Sequence, residues 1–289
     1  MGDGFPHVAV DRFADTLVAH GSAPGALDEL APLLAAGAGG ARLYAKAHLR
    51  EVARLTADQR AAVAPAAPAW GEPVERVTVV ENGVRYAIRP GAGLSVGLFL
   101  DMREVRAWVR GQAADRTVLN LFAYTCAFGA CASLGGAARV LNVDTSRPYL
   151  AWGQENYAGN DLAVDPRDFV YGDAQDWLGR LARRGERFDM VVLDPPSFGR
   201  TRGGAFSVER DYARLVAAAA RATAARGILV AATNHHGVSP GRFDAFVDQG
   251  VHDARRAGRR IRRWHEPAID FPTAPGERPQ LHVQALVLN

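Results

Sequence analysis

The stretch Phe188-Asp-Met-Val-Val-Leu-Asp-Pro-Pro-Ser-Phe198 decides the fold. Five of its first six residues are apolar, a run of strand length and the pattern of a strand covered on both faces in a parallel sheet. Pro195 and Pro196 follow at once, and neither can continue the ladder. The strand therefore ends at Asp194, with that carboxylate on a backbone stiffened by two prolines.

The same pattern recurs outward in both directions. Val118-Leu-Asn-Leu-Phe122, Arg139–Asp144 and Asp168–Tyr171 read as strands before it, and Gly227–Thr233 as one after it. Between them lie helical stretches: the residues through Ala130 to Gly136, Pro148–Tyr157, Ala174–Arg183 and Val208–Ala225. Ser146 is placed to cap the second of these, with Pro148 in its first turn. Such alternation predicts an α/β domain with a parallel sheet and helices on both faces. Arg259–Trp264 and Leu281–Leu288 read as strands joined by a loop with Pro267, Pro272, Pro275 and Pro279, closing the sheet with an antiparallel hairpin.

The first 95 or so residues read as a separate, small α+β domain (1–95, against 96–289). Val8–Val18 resembles a hairpin turning near Phe13-Ala-Asp15, and Ala26–Ala36 has helical spacing. Ala41–Leu49 is a candidate strand. Residues 61–73 are rich in Ala and Pro and read as a loop. Val74–Ile88 reads as two strands around Asn82-Gly83, a strong hairpin signal. No chemistry-bearing cluster stands out there.

Composition bounds the function. The chain has 289 residues, 48% of them hydrophobic, enough for a large core without staples. Its two cysteines, Cys126 and Cys131, exclude a disulfide-rich secreted scaffold. No apolar run of ~18 residues and no basic-then-apolar leader is present, so neither a membrane span nor a signal peptide is expected, and the cytoplasm is the expected location. The net charge is +3, and Lys46 is the one lysine. Six arginines fall in Arg255–Arg263, so the remaining chain carries a slight acidic excess. A local basic stripe suits nucleic acid, although a solvated helix end gives the same pattern.

In open α/β sheets ligands bind at the carboxyl ends of the strands. After the first strand come Phe122-Ala-Tyr-Thr-Cys-Ala-Phe-Gly129. The second ends at Asp144, where an acid can accept two hydrogen bonds from a ribose diol or cap a helix beside Thr145 and Ser146. Asp173-Ala174 follows the third, with Asp173 either accepting from an adenine amine or acting as N-cap. The first loop has a single glycine, Gly129, and no Gly-x-Gly-x-x-Gly, which disfavours a nicotinamide dinucleotide and favours a nucleoside without phosphates. Asp194-Pro195-Pro196-Ser197-Phe198 offers acceptors and an aromatic ring together, which is what a planar, amine-bearing base requires.

With these residues in view, the chain resembles the class I S-adenosylmethionine-dependent methyltransferases of large-subunit ribosomal RNA, and within them methyltransferases I and K. The resemblance runs through Val10–Asp15, Gly97–Arg103, Leu119–Thr125, Val143–Ser146, Leu193–Phe198 and Phe206–Asp211. It begins where the family's N-terminal PUA domain would end, so that module is expected to be lacking. It implies a Rossmann-like seven-stranded sheet, S-adenosyl-L-methionine as cofactor and ribosomal RNA as partner. Carried over, Phe122, Tyr124, Thr125, Phe128 and Gly129 would cradle the methionine part of the cofactor. Asp144 and Thr145 would hold the ribose, and Asp173 and Ala174 the adenine. Asp194, Pro195, Pro196 and Phe198 would face the target base. Asp101 and Arg103 would close the site, Arg103 on the cofactor carboxylate. The family commonly has glycine where Cys126 stands.

Cytosine C5 methylation needs a cysteine nucleophile, and neither Asp194–Phe198 nor Thr233-Asn-His-His236 contains one, so that reaction is disfavoured. A guanine nitrogen fits better, by direct transfer, and Asn234 after the fifth strand resembles the guanine-N7 branch. An exocyclic amine remains open, with Asp194 as proton acceptor. Ser197 and Asn234 are candidate substrate contacts. So are Arg200 and Arg202, in a glycine-rich loop where their cations would hold phosphates. His235 and His236 point apart as neighbours and make a poor metal pair; no metal is expected. A protein or small-molecule N-methyltransferase, and a non-catalytic RNA-binding protein, are the alternatives.

Overall fold

The structure is a computed structural model that describes residues 7–22, 27, 41–47, 56–201, 204–272 and 279–289. The helix expected over 26–36 and the tail of the strand expected to reach Leu49 fall largely outside them. The chain passes from one compact unit to another between Phe99 and Leu100.

In the first unit β1 (Val8–Phe13) and β2 (Thr16–Gly21) form an antiparallel hairpin, and β3 (Arg42–Ala47) adds parallel to β2. Phe13, Leu17, Val18, Leu43 and Tyr44 are buried there. The one lysine, Lys46, is buried as well. Its Nζ donates to Pro65 O at 3.0 Å, and burial lowers its pKa to about 8. Helix α1 (Ala57–Val63) enters the stretch read as a loop from 61 onward, because Thr56 and Gln59 form a reciprocal capping box. The hairpin of β4 (Val77–Glu81) and β5 (Val84–Ile88) turns through Asn82 and Gly83, both at positive φ, as its two-residue loop requires.

The second unit is built on seven strands: β6 (Thr117–Leu121), β7 (Arg139–Asp144), β8 (Phe169–Tyr171), β9 (Phe188–Leu193), β12 (Thr223–Thr233), β13 (Gly258–Trp264) and β14 (His282–Leu288). Their order is β13-β14-β12-β9-β6-β7-β8, parallel except that β14 runs antiparallel to both neighbours. Between β9 and β12 a small antiparallel hairpin, β10 (Phe198–Thr201) with β11 (Gly204–Ser207), stands apart from this sheet.

The strands are buried on both faces, as their apolar runs require. Leu119, Leu121, Val191 and Leu193 face one layer, with the buried sides of α5 (Ala174–Arg184), α6 (Val208–Ala222) and α7 (Pro240–Asp253). Val118, Met190 and Val192 face the other, with α2 (Arg103–Gln112) and α3 (Ala127–Leu134). Helix α4 (Arg147–Ala158) packs beside α3 through Leu150 and Tyr157. Ser146 caps α4 by accepting from Tyr149 N, with Pro148 in the first turn. No helix of the described residues is long and apolar enough to cross a membrane.

Two differences from the sequence reading have local causes. Helix α6 stops at Ala222 rather than Ala225, because the chain enters β12 through a register shift between Thr223 and Ile228, with Arg226 at φ 60°. Arg200 lies not in an open loop but in the β10–β11 hairpin, whose register pairs Phe198 with Ser207. Alternation within Phe198–Ser207 is interrupted by three glycines, which hides the strands from a periodicity reading.

Candidate active site

The sheet order fixes where a ligand enters. From β6 the chain proceeds to β7 and β8 on one side, and β9 and β12 lie on the other, so the switch point falls between β6 and β9. The segment after β6 runs into that crevice with an unusual backbone. Phe122, Tyr124 and Cys126 all have positive φ, at 56°, 49° and 57°. Three non-glycine residues in the left-handed region within five positions store strain of order 1–3 kcal/mol each, and such strain gathers at ligand sites.

The surroundings hold the loop in this shape. Asp144 Oδ2 accepts from Tyr124 N at 2.8 Å, and its Oδ1 accepts from Ser146 N at the same distance. Asn156 Nδ2 donates to Thr125 O at 2.9 Å. The Tyr124 ring meets Tyr149 edge-on, 4.5 Å between centroids. The buried Cys126 thiol occupies the place a side chain at residue 153 would fill, so Gly153 compensates for a cysteine at a left-handed position. Burial and the neighbouring Asp144 push the Cys126 pKa well up. Cys131 is buried too. Neither is a poised nucleophile.

Gly129 has a packing role. A Cβ there would overlap Asn142 Oδ1 and lie 2.6 Å from Tyr157 OH. Those atoms belong to a buried network in which Asn120 Nδ2 donates to Asn142 Oδ1 at 2.9 Å and Asn142 Nδ2 to Tyr157 OH at 3.1 Å. Phe128 and Ala174 are also core residues. Asp173 is the N-cap of α5, its Oδ1 accepting from Gln175 N and Asp176 N. Its other oxygen carries no hydrogen bond among the described residues, so capping does not exhaust this carboxylate. Thr145 is exposed beside Asp144, and its backbone N–H joins those of Tyr124 and Ser146 around that carboxylate. Burial still leaves the Asp144 pKa raised.

Across the switch point, Asp194 ends β9. It keeps some exposed surface but lies deep among protein atoms. That desolvation, reinforced by Asp101 and opposed by Arg106, raises its pKa to about 7. No hydrogen bond engages its carboxylate among the described residues. Tyr212, buried on α6, lies within its field and donates to Ala232 O at 2.7 Å. Pro195 is buried and Pro196 exposed. Ser197 Oγ donates to Asn234 Oδ1 at 3.0 Å, so the residues following β9 and β12 are joined. Phe198 and Arg200 lie in β10. Arg202 lies outside the described residues. His235 Nδ1 accepts from Gly237 N, a turn contact. Among the described residues no three metal-ligating side chains cluster.

These strand ends put a carboxylate on each side of the switch point, Asp144 after β7 and Asp194 after β9, and the segment after β6 has no glycine-rich phosphate cradle. The family model described as S-adenosylmethionine-dependent methyltransferase matches residues 42–276. The chain belongs to that family. Ribosomal RNA large subunit methyltransferase I of Photobacterium profundum is 30% identical over 273 residues, covering 93% of this chain and 68% of the relative. YwbD of Bacillus subtilis (strain 168) is 38% identical over 173 residues, 60% of this chain and 44% of the relative. The chain thus spans less than half the length of that relative. The crystal structure of SMU.776 complexed with SAH superposes with a TM-score of 0.87 at 26% identity, covering 99% of this chain and 73% of the other.

The crevice fits the cofactor of this methyltransferase family. Asp144, held by backbone donors, stands where the resemblance expects a ribose acceptor, and the strained 122–126 segment leads directly into the N-terminus of α3. Arg103 is engaged within the protein. Its Nη2 pairs with Asp270 Oδ2 at 2.6 Å, so this guanidinium already has a carboxylate. Sequence reasoning missed Arg106, Tyr212 and the Asn120–Asn142–Tyr157 network. The one available signal was a polar residue in the middle of each of two otherwise apolar strands, Asn120 and Asn142.

Proposed function

We propose that this methyltransferase modifies a base of ribosomal RNA, transferring the methyl group directly from S-adenosylmethionine to a guanine nitrogen. The carrying observation is the end of β9: an uncommitted, desolvated Asp194 on a proline-stiffened turn, with Ser197 hydrogen-bonded to Asn234 beside it. The names of the Photobacterium profundum and Bacillus subtilis relatives, both ribosomal RNA large subunit methyltransferases, support the RNA class. The two buried cysteines argue against cytosine C5.

When bound, S-adenosylmethionine supplies an electrophilic methyl group on a sulfonium sulfur. The chain's own residues orient and desolvate. Phe122–Gly129 would receive the methionine part, Asp144 and Thr145 the ribose, and Asp173 and Ala174 the adenine. Pro195 O and the Asp194 carboxylate would accept from the edge of the guanine, with Phe198 stacked on its plane, while Ser197 and Asn234 hold its far side. A nitrogen nucleophile needs alignment more than covalent activation. For an exocyclic amine, the Asp194 carboxylate, with a pKa near neutrality, is matched to accept the proton the amine loses. Arg200 and Arg202 would hold phosphates flanking the base.

The test is nucleoside mass spectrometry of large-subunit RNA from a strain lacking this chain, before and after treatment with purified protein and cofactor. One methylguanosine should be missing and then restored. An unchanged nucleoside profile would refute the reading.

A further inference from the structure

The opposite ends of the same strands carry a chemistry that methyl transfer does not use. Arg187 immediately precedes β9, Arg226 lies in the irregular start of β12, and Arg259 is the second residue of β13. Arg221 ends α6, and Arg255 and Arg256 follow α7. All six therefore lie at the amino rim, about 20 Å along the strands from Asp194 and Asn234. Acids on the same rim include Glu186, Asp253, Asp115 and Asp189, the last engaged by Thr117 N at 2.9 Å.

Half of these arginines have structural work. Arg256 donates to Ala220 O, Thr223 O, Ala224 O and Asn289 O. Arg187 donates to Arg221 O, and Arg221 to Asp253 O. These contacts satisfy carbonyls at helix ends. They also bring like charges together: burial, and after it the proximity of Arg187, lowers the Arg256 pKa.

Arg226 and Arg255 differ. Both are exposed, and neither side chain has a hydrogen bond or ion pair among the described residues. Both have left-handed backbones, φ 60° and 56°. Arg255 holds the C′ position of α7, with Arg256 N donating to Val251 O at 3.1 Å in the Schellman arrangement, where glycine is the usual residue. Arg226 sits in the bulge of β12 next to Gly227. The Arg256 guanidinium reaches Thr223 O and Ala224 O, so it ties the two strained turns together. An arginine that costs backbone strain and returns no hydrogen bond or ion pair breaks a local rule without evident polar gain, and such violations mark functional positions.

We propose that this amino-rim face, centred on Arg226 and Arg255, binds backbone phosphates of the RNA substrate at a second site remote from the methylated base. This rests on the RNA reading above. It requires a folded RNA that reaches both rims.

The test compares the full chain with R226N/R255N and with R226K/R255K. Asparagine tolerates the left-handed conformation, so Tm should not fall. With a structured ribosomal RNA transcript, the asparagine variant should bind about tenfold more weakly at low salt. Its slope of log K against log salt should be shallower by about 1.5, the loss of two phosphate contacts. The lysine variant should keep the slope. A single-stranded oligonucleotide too short to leave the methyl-transfer rim should bind all three proteins equally. An unchanged slope for the asparagine variant on the long RNA, with methylation of that RNA intact, overturns this inference alone. Weaker binding confined to ribonucleoprotein particles, with naked RNA unaffected, assigns the face to an acidic protein and also overturns it. Wild-type protein that methylates no RNA overturns the reading beneath it.

Discussion

The two ends of the central strands solve opposite problems. At the carboxyl rim, Asp144 and Asp194 are partly desolvated acids with raised pKa values, beside a loop with three strained residues. At the amino rim, arginines cap helix ends and outnumber nearby acids. One rim holds negative charge where solvent is scarce, and the other spreads positive charge into water. The difference separates what folding favours from what chemistry needs. Arg187, Arg221 and Arg256 satisfy carbonyls, whereas a desolvated Asp194 opposes folding and has no hydrogen bond among the described residues to offset that, which makes it the candidate for ligand chemistry. Raised acid pKa values of this kind mark functional sites more often than structural ones.

The sharpest way to break this comparison is to remove Asp194. Asp194→Ala should lower kcat for methyl transfer by about 10²–10⁴ while leaving cofactor affinity within a factor of a few. Single-turnover transfer of labelled methyl and calorimetry of cofactor binding check the two halves. The pH profile adds the target atom. If Asp194 accepts a proton from an exocyclic amine, kcat/KM should rise with pH through about 7 and the rise should vanish in the variant. A profile flat across that range points to guanine N7, which has no proton to lose. Wild-type turnover in Asp194→Ala would remove this end of the comparison.

Asp144 tests the other acid of the same rim. Asp144→Asn keeps a hydrogen-bond acceptor but loses the charge that three backbone donors face. Cofactor affinity should fall about 10–100-fold, the worth of one or two charge-assisted hydrogen bonds. Equal affinity by calorimetry would return Asp144 to the role of a turn residue.

Much of this was legible in sequence because it rests on backbone punctuation. Leu193-Asp-Pro-Pro196 announces a strand end, Ser146 with Pro148 announces a helix start, and the apolar runs announce buried strands. The sheet and the acids at its carboxyl rim follow from those signals. Side-chain meetings across distant segments do not. Arg106 reaches Asp194 from a helix 88 positions earlier, and Arg103 meets Asp270 across the unit. The resemblance put Gly129 in the cradle of the cofactor's methionine part, and its neighbours Asn142 and Tyr157 show that a glycine there also makes room for a polar core. The arginines of 255–263 looked like one stripe. Strand and turn geometry split them: Arg260 reaches Gln284 and Asp248, Arg263 pairs with Asp244, and Arg255 points to water from a strained turn. A linear count of charge cannot see that division.

The smallest expected effect concerns stability, and its sign follows from the comparison. Asp194 has a folded-state pKa of about 7 against an ordinary carboxylate value near 4, so between those values the folded protein binds a proton that the unfolded chain has released. Stability contributed by this group is therefore complete below pH ~4 and is lost as pH rises toward 7. Asp194→Asn removes the titration. Measured by urea unfolding, the variant should match wild type near pH 4.5 and exceed it by about 1–2 kcal/mol at pH 8, where solvent at this partly exposed carboxylate screens the rest of the penalty. At the amino rim the corresponding change, R226N/R255N, should leave the difference between pH 4.5 and pH 8 untouched, because guanidinium groups stay charged across that range. A destabilised Asp194→Asn at pH 8 would mean that the carboxylate is bound by partners in the folded state, and that the carboxyl rim, like the amino rim, is built for structure.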